Sequence, residues 1–129
     1  MFLGLSIILH ETFHLVVARA LGHTVDVFYG IQFPNIYGFV SINPPPQNIM
    51  ETIIIFSVGG LGAGAVFCVL WYAIEDDVSK LILCFFAVMQ LTYGVMETMY
   101  GIGILEKPVL EVVPMVVGAV AFLAYNKWG

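Results

Sequence analysis

Residues 53–74 read IIIFSVGGLGAGAVFCVLWYAI, a run of 22 residues without a formal charge. A helix of about 20 apolar residues crosses the ~30 Å hydrocarbon core of a bilayer. The whole chain has 129 residues, of which 60% are hydrophobic and 10% are charged, and its mean hydropathy is +0.98. A soluble domain carries about 25% charged residues, far more than this chain has. The run therefore predicts a membrane-spanning helix in a multi-pass integral membrane protein.

Three further apolar segments approach the spanning length. They are residues 1–21, 81–105 and 109–125, and the last of them is the shortest. The connections between the later segments are short, which favours antiparallel neighbours in a compact bundle. We expect an all-α membrane protein, in which three to four transmembrane helices form one polytopic domain over residues 1–129.

The stretch between the first two helices, residues 22–48, has a different character. Residues 24–29 and 37–42 are rich in β-branched and aromatic side chains, and Gly30 and a Pro34-Asn35 turn separate them. Such segments around turn formers are typical of a β-hairpin. The sequence therefore predicts a short, membrane-associated β-hairpin between the first and second helices.

Charge and cysteine content exclude several classes of protein. The net charge is −5 with four Lys/Arg residues, and the chain has no basic patch of the kind that binds nucleic acid. Cys68 and Cys84 lie in apolar runs without metal-ligand spacing, and we expect both to be buried packing residues.

Residues 1–9 lack the basic leader and cleavage pattern of a signal peptide, so we expect them to be retained as helix. Membrane lipid is the partner that composition predicts.

The first apolar segment contains the motif His10-Glu11-Thr12-Phe13-His14. Residues four apart lie on one face of a helix, so both imidazoles can reach one zinc ion. Glu11 projects beside that face and can take a proton from a water that the ion activates. The alternative is a pair of hydrogen-bonded core histidines, but ionisable groups at this depth cost roughly 2.5–3.5 kcal/mol each and usually mark function. The motif predicts a hydrolytic zinc site with Glu11 as the catalytic base.

A hydrolytic zinc site generally takes three protein ligands and leaves a fourth position open. Glu97 is the first candidate for the third ligand, because it is the one acidic or basic residue within 81–105. Glu106 is the next candidate, whereas we expect His23 at the membrane interface. Alternatively, Glu97 is protonated and hydrogen-bonded between helices, or it pairs with Arg19.

Polar residues recur on one face of the third segment at steps of three, four and three. They are Gln90, Tyr93, Glu97 and Tyr100. Residues at these steps are neighbours on a helix surface, and glycines in the same segment permit close approach of another helix. We expect this face to turn toward the first helix, so that His10, His14 and Glu97 are the metal ligands.

Residues 10–22, HETFHLVVARALG, resemble the motif helix of the site-2 protease family of intramembrane zinc metalloproteases. The order of elements is similar as well. The family follows this helix with a membrane-associated β-rich segment, then a helix with a glycine motif, then a helix that supplies a carboxylate ligand. Residues 60–64, GLGAG, and Glu97 stand at the last two places. The aspartate that the family carries in an Asn-Pro...Asp-Gly context has no counterpart here.

The resemblance implies one Zn²⁺ ion and hydrolysis of a peptide bond in a transmembrane protein or peptide substrate. In the family, an asparagine about two turns before the carboxylate ligand is implicated near the reacting carbonyl. Gln90 stands seven residues before Glu97, so the resemblance implies Gln90 as an oxyanion or substrate contact, with helix packing as its alternative role. It also implies that the strand at 37–42 receives the substrate by β-augmentation.

Two other classes of function fit parts of the pattern. A non-catalytic membrane protein, either an inactive protease relative that binds membrane helices or a metal-binding transporter subunit, would keep the histidines without hydrolysis. A haem protein would use His10 and His14 as axial ligands, but histidines one turn apart cannot reach opposite faces of one haem. Metal analysis separates the first alternative from an enzyme, and an absorption spectrum tests the second.

Overall fold

The computed structural model describes residues 2–32 and 35–129. In chain order it has helix α1 (Phe2–Ala20), strands β1 (Thr24–Gln32) and β2 (Asn35–Asn43), and helices α2 (Ile49–Ala73), α3 (Asp77–Gly101) and α4 (Lys107–Trp128). Each of these helices is long and apolar enough to span a membrane. Helix α4 has 22 residues and is longer than the predicted segment 109–125. The prediction of a multi-pass helical membrane protein with a hairpin between its first two helices is confirmed.

Helix α2 begins before the apolar run that predicted it, at Ile49 rather than at residue 53. The side chain of Asn48 caps the helix, because its Oδ1 accepts a hydrogen bond of 2.9 Å from the amide of Glu51. Hydropathy marks only the apolar part of a helix. The cap determines where the helix begins, so that α2 includes Glu51 and Thr52 before the apolar run.

Helix α3 also begins earlier in the sequence than predicted, and it ends earlier as well, since it covers Asp77–Gly101 instead of 81–105. Asp76 Oδ2 accepts a hydrogen bond from the amide of Ser79 and caps the first turn. Hydrogen bonds from the side chain and backbone of Ser79 lower the pKa of Asp76, because they stabilise its charged form. At the other end, Gly103 takes a φ of 84°, a left-handed conformation that closes the helix.

Strands β1 and β2 pair along their whole length as an antiparallel two-stranded sheet. Each strand has nine residues, so the hairpin is longer than the predicted segments 24–29 and 37–42. Pro34 of the predicted turn lies outside the described residues, and Asn35 begins β2.

The base of the hairpin is attached to the helices. Val25 of β1 is buried against Ala18 of α1 and Ile55 of α2. His23 is also buried, and its Nδ1 donates a hydrogen bond of 2.6 Å to the carbonyl oxygen of Pro44, just beyond β2. These contacts hold the hairpin at the end of the bundle where α1 finishes and α2 begins.

The glycine run of α2 lets two helices approach the same stretch of its surface. A Cβ added at Gly60 would collide with the backbone of Gly94 in α3. A Cβ added at Gly62 would lie 2.5 Å from the ring of Phe13 in α1. Close backbone approach at small residues is the usual basis of helix packing in membranes, where lipid is as apolar as the side chains. Helices α1 and α3 therefore meet across the glycine face of α2.

The two cysteines are free thiols on the outer part of the bundle. Cys68 is exposed on α2 and Cys84 is half-buried on α3. The prediction that both are buried is therefore wrong for Cys68, and Cys84 is only partly buried. A thiol is apolar enough to face lipid as well as a protein core, so an apolar run does not determine which way it points.

Candidate metal centre

Two histidines of α1 and one glutamate of α3 converge. His10 Nε2 lies 3.1 Å from Glu97 Oε2, and His14 Nε2 lies 3.4 Å from the same oxygen. The two Nε2 atoms are 3.0 Å apart. One ligand atom from each residue therefore fits within a sphere small enough to hold one metal ion. These are the three residues that the sequence predicted as ligands, and the tertiary structure brings them together.

The hydrogen bonds around the histidines leave their Nε2 atoms as acceptors. A carbonyl oxygen can only accept, so His14 Nδ1 donates to the carbonyl of Ile55 at 2.6 Å. His10 Nδ1 lies 2.9 Å from Gln90 Oε1, where it makes the equivalent bond. In the neutral imidazoles, both Nε2 lone pairs then face Glu97.

Glu97 Oε2 is buried, and it receives no hydrogen bond from the part of the chain that the structure describes. Buried acceptors without a donor are rare in folded proteins. In neutral imidazoles whose Nδ1 atoms carry the proton, neither Nε2 atom can donate a hydrogen bond to Glu97 Oε2. Three ligand atoms this close together form a group that could hold one metal ion.

The centre lies near the hairpin end of the bundle. Glu97 stands four positions before the last residue of α3, a distance of about 6 Å along the helix axis at 1.5 Å per residue. His10 and His14 are each 6% exposed, and the side chain of Glu97 is 16% exposed. The two histidines are thus buried and Glu97 is largely buried, although Glu97 lies close to the hairpin end of α3.

Glu11 lines a cavity of about 800 Å³ together with the three candidate ligands. Glu11 is buried, with 7% of its surface exposed. The backbone of Gly38 in β2 packs against it, since an added Cβ there would lie 3.0 Å from Glu11 Cγ. The same cavity reaches Lys107 at the start of α4. One cavity therefore connects the candidate metal centre, the Glu11 carboxylate and the strand β2.

The polar face of α3 turns toward α1, as its spacing predicted. Tyr93 meets the ring of His10 edge-on, with the ring centroids 5.1 Å apart. Gln90 is engaged at both ends of its amide, because its Nε2 also donates to Ser6 Oγ at 2.5 Å. Sequence interpretation missed Ser6. The signal that could have found it is its position four residues before His10, on the same face of α1.

The other candidates lie apart from this group. Arg19 is exposed at the end of α1, whereas the side-chain nitrogens that lie close to Glu97 Oε2 are those of His10 and His14. Glu106 is exposed and directly precedes α4. His23 Nε2 is 3.4 Å from Glu51 Oε2, at the base of the hairpin. Among the described residues, the group of His10, His14 and Glu97 is the one that meets the geometric requirements of a metal site.

Gly59 of α2 makes room for one of the candidate ligands. An added Cβ would collide with Nε2 of His14. We expect Gly59→Ala to weaken metal binding by about 10- to 100-fold, the loss typical when the support of a ligand is disturbed. Competition with a chromophoric chelator in detergent micelles measures this affinity.

Gly62→Ala is the matched control, because its Cβ would press on the ring of Phe13 on the same helix α1 and away from the ligand nitrogens. We expect this variant to bind metal as the parent does. Equal losses in both variants would show that general crowding of α1, and not displacement of His14, controls the affinity.

The fold and the centre define a multi-pass helical membrane protein with a buried His-His-Glu group that could hold one metal ion. Comparisons with protein-family models, with curated proteins and with solved structures found no match to this chain. The resemblance to the site-2 protease family therefore stays a prediction from its motifs.

Proposed function

We propose that this protein is an intramembrane zinc metalloprotease that hydrolyses a peptide bond of a membrane-embedded protein. The observation that carries the proposal is the convergence of His10, His14 and Glu97 in the cavity that Glu11 also lines. A purely structural histidine pair would need neither a third acceptor nor a free carboxylate beside it.

The donor set favours zinc over harder cations. Two imidazole nitrogens and one carboxylate oxygen are typical ligands of catalytic zinc, whereas Mg²⁺ and Ca²⁺ prefer oxygen ligands alone. Zinc bonds of about 2.0–2.2 Å place the ligand atoms of a tetrahedral site roughly 3.3 Å from one another. The separations in this centre are 3.0, 3.1 and 3.4 Å. Three ligands also leave one position open, as hydrolytic sites do.

Different residues have different roles in the proposed hydrolysis. A bound zinc ion supplies Lewis acidity, which polarises the scissile carbonyl and makes a water easier to deprotonate. Glu11 accepts the proton of that water, whose oxygen bonds to the carbonyl carbon. The C–N bond then breaks, and Glu11 passes the proton to the leaving amine. The carbonyl of Ile55 orients His14 through its Nδ1, so that Nε2 faces the centre.

The strand β2 supports an extended substrate. In the described part of the chain, β2 pairs with β1 on one edge, and most residues of 36–42 line the cavity. A transmembrane helix satisfies its own backbone hydrogen bonds, so a scissile segment must unwind and find new partners. The outer edge of β2 offers them by strand addition. A peptide held there would pass Glu11, which packs against Gly38.

The test is cleavage of a synthetic single-span peptide in liposomes that contain the purified protein. The peptide carries a fluorophore and a quencher on either side of a short glycine-containing segment, since each glycine weakens a helix by about 1 kcal/mol relative to alanine. We expect cleavage with zinc, loss of cleavage with a chelator and recovery when zinc is added back. A matched peptide with leucines in place of the glycines should be cleaved more slowly.

Two results would count against the proposal in different ways. Absence of zinc from the purified protein, with no effect of zinc or chelator on cleavage, would contradict the metalloprotease assignment. One zinc ion per chain without cleavage of either peptide would favour the alternative of a non-catalytic metal-binding membrane protein.

A further inference from the structure

A buried chain of polar side chains crosses from α1 to α3 and back to the candidate metal centre. Ser6 is 0% exposed, and Gln90 and His10 are each 6% exposed. Gln90 Nε2 donates to Ser6 Oγ at 2.5 Å, and Gln90 Oε1 lies 2.9 Å from His10 Nδ1. The chain ends at His10 Nε2, which is 3.1 Å from Glu97 Oε2.

The order of donors along this chain orients His10. An amide nitrogen only donates, so with Nε2 of Gln90 on Ser6 the amide oxygen is left to face the imidazole. That oxygen accepts the Nδ1 proton of His10. Since a neutral imidazole carries one proton, its Nε2 then has a free lone pair directed at the centre.

Helix α3 contributes two side chains to the surroundings of the candidate metal centre. It contributes Glu97, and seven residues earlier it contributes Gln90, which lies on the same helical face. Ser6 and His10 are four residues apart on one face of α1 in the same way. The contacts of His10 with Gln90 and with Glu97 therefore fix both the position and the rotation of the His10 imidazole ring.

We propose that Gln90 is a positioning residue for His10 and that Ser6 holds Gln90 in the orientation this requires. The inference rests on the proposed zinc function. It gives Gln90 a role different from the contact with the reacting carbonyl that the family resemblance implies. Both hydrogen-bonding ends of the amide already have protein partners, which supports the positioning role.

The experiment compares the zinc affinity of four variants with that of the parent, by competition with a chromophoric chelator in detergent micelles. Gln90→Leu removes the acceptor for His10, and we expect the dissociation constant to rise by about 10- to 100-fold. Gln90→Glu keeps an acceptor oxygen and should restore most of the affinity. Ser6→Ala should cause a smaller loss in the same direction. Thr92→Val removes a hydroxyl of α3 that is not part of the hydrogen-bonded series of Ser6, Gln90 and His10. This variant should leave the affinity unchanged.

A second readout separates positioning from general damage to the fold. With Co²⁺ in place of zinc, the visible spectrum reports the geometry of the ligand field. We expect this spectrum to change in Gln90→Leu and to return toward that of the parent in Gln90→Glu. Thermal unfolding of the metal-free proteins identifies any variant that has lost its fold.

The outcomes distinguish this inference from the function on which it rests. Equal zinc affinity and equal Co²⁺ spectra in the parent and in Gln90→Leu would overturn the positioning role alone. If peptide cleavage then fell at unchanged zinc affinity, Gln90 would act on the reacting carbonyl instead. Absence of zinc from the parent protein would overturn both the inference and the proposed function.

Discussion

Replacing Glu11 by Gln is expected to lower the rate of peptide cleavage by about 10²- to 10⁴-fold, the usual contribution of a general base. Glutamine keeps the size and shape of the side chain, so the packing against Gly38 is retained. It cannot take up the proton of the attacking water, because a neutral amide lacks the basic oxygen of a carboxylate. Zinc content should remain that of the parent, since Glu11 is not one of the three converging residues.

Glu75→Gln is the matched control for this variant. Glu75 is an exposed glutamate in the connection between α2 and α3, at the opposite end of the bundle from the hairpin. The same loss of one negative charge there should leave both zinc content and cleavage unchanged. If Glu11→Gln cleaved the peptide as fast as the parent, Glu11 would not be the base.

Replacing Glu97 by Gln is expected to raise the dissociation constant for zinc by more than about 100-fold, since even supporting partners of a ligand contribute 10- to 100-fold. The substitution removes the anionic oxygen that both histidines face, and a neutral amide oxygen is a weaker donor. Cleavage should fall in proportion to the zinc lost at a fixed zinc concentration. Equilibrium dialysis followed by elemental analysis measures the bound metal, and His10→Ala and His14→Ala should lose it likewise.

Glu106→Gln is the control that also tests the competing ligand. Glu106 is exposed before α4 and lies outside the group that could hold an ion. We expect this variant to bind zinc as the parent does. Loss of zinc in Glu106→Gln with retention in Glu97→Gln would show that the third ligand is not the one the structure brings to the histidines.

The sequence by itself was sufficient for the membrane class and the hairpin, and it narrowed the number of spanning helices to three or four. These features follow from local properties: an apolar run of spanning length, and β-branched and aromatic residues around turn formers. The relation of His10 to His14 is local too, because one helical turn places both on one face whatever surrounds them. The helix ends were less predictable, since the caps at Asn48 and Asp76 add polar turns that hydropathy does not mark.

Only the tertiary structure decided which groups meet across the bundle. The cost of an acidic residue inside a membrane helix indicated that Glu97 needs a partner, but it did not distinguish the histidines from Arg19. Close packing at Gly60 and Gly94 holds α3 against α2. The space at Gly59 and Gly62, which His14 and Phe13 occupy, holds α1 against the same part of α2, so the histidines reach Glu97. Gln90 and Ser6 are 84 positions apart, and no local pattern links them. Periodicity determines the face on which a side chain lies, whereas its partner depends on how closely and at what register the helices pack.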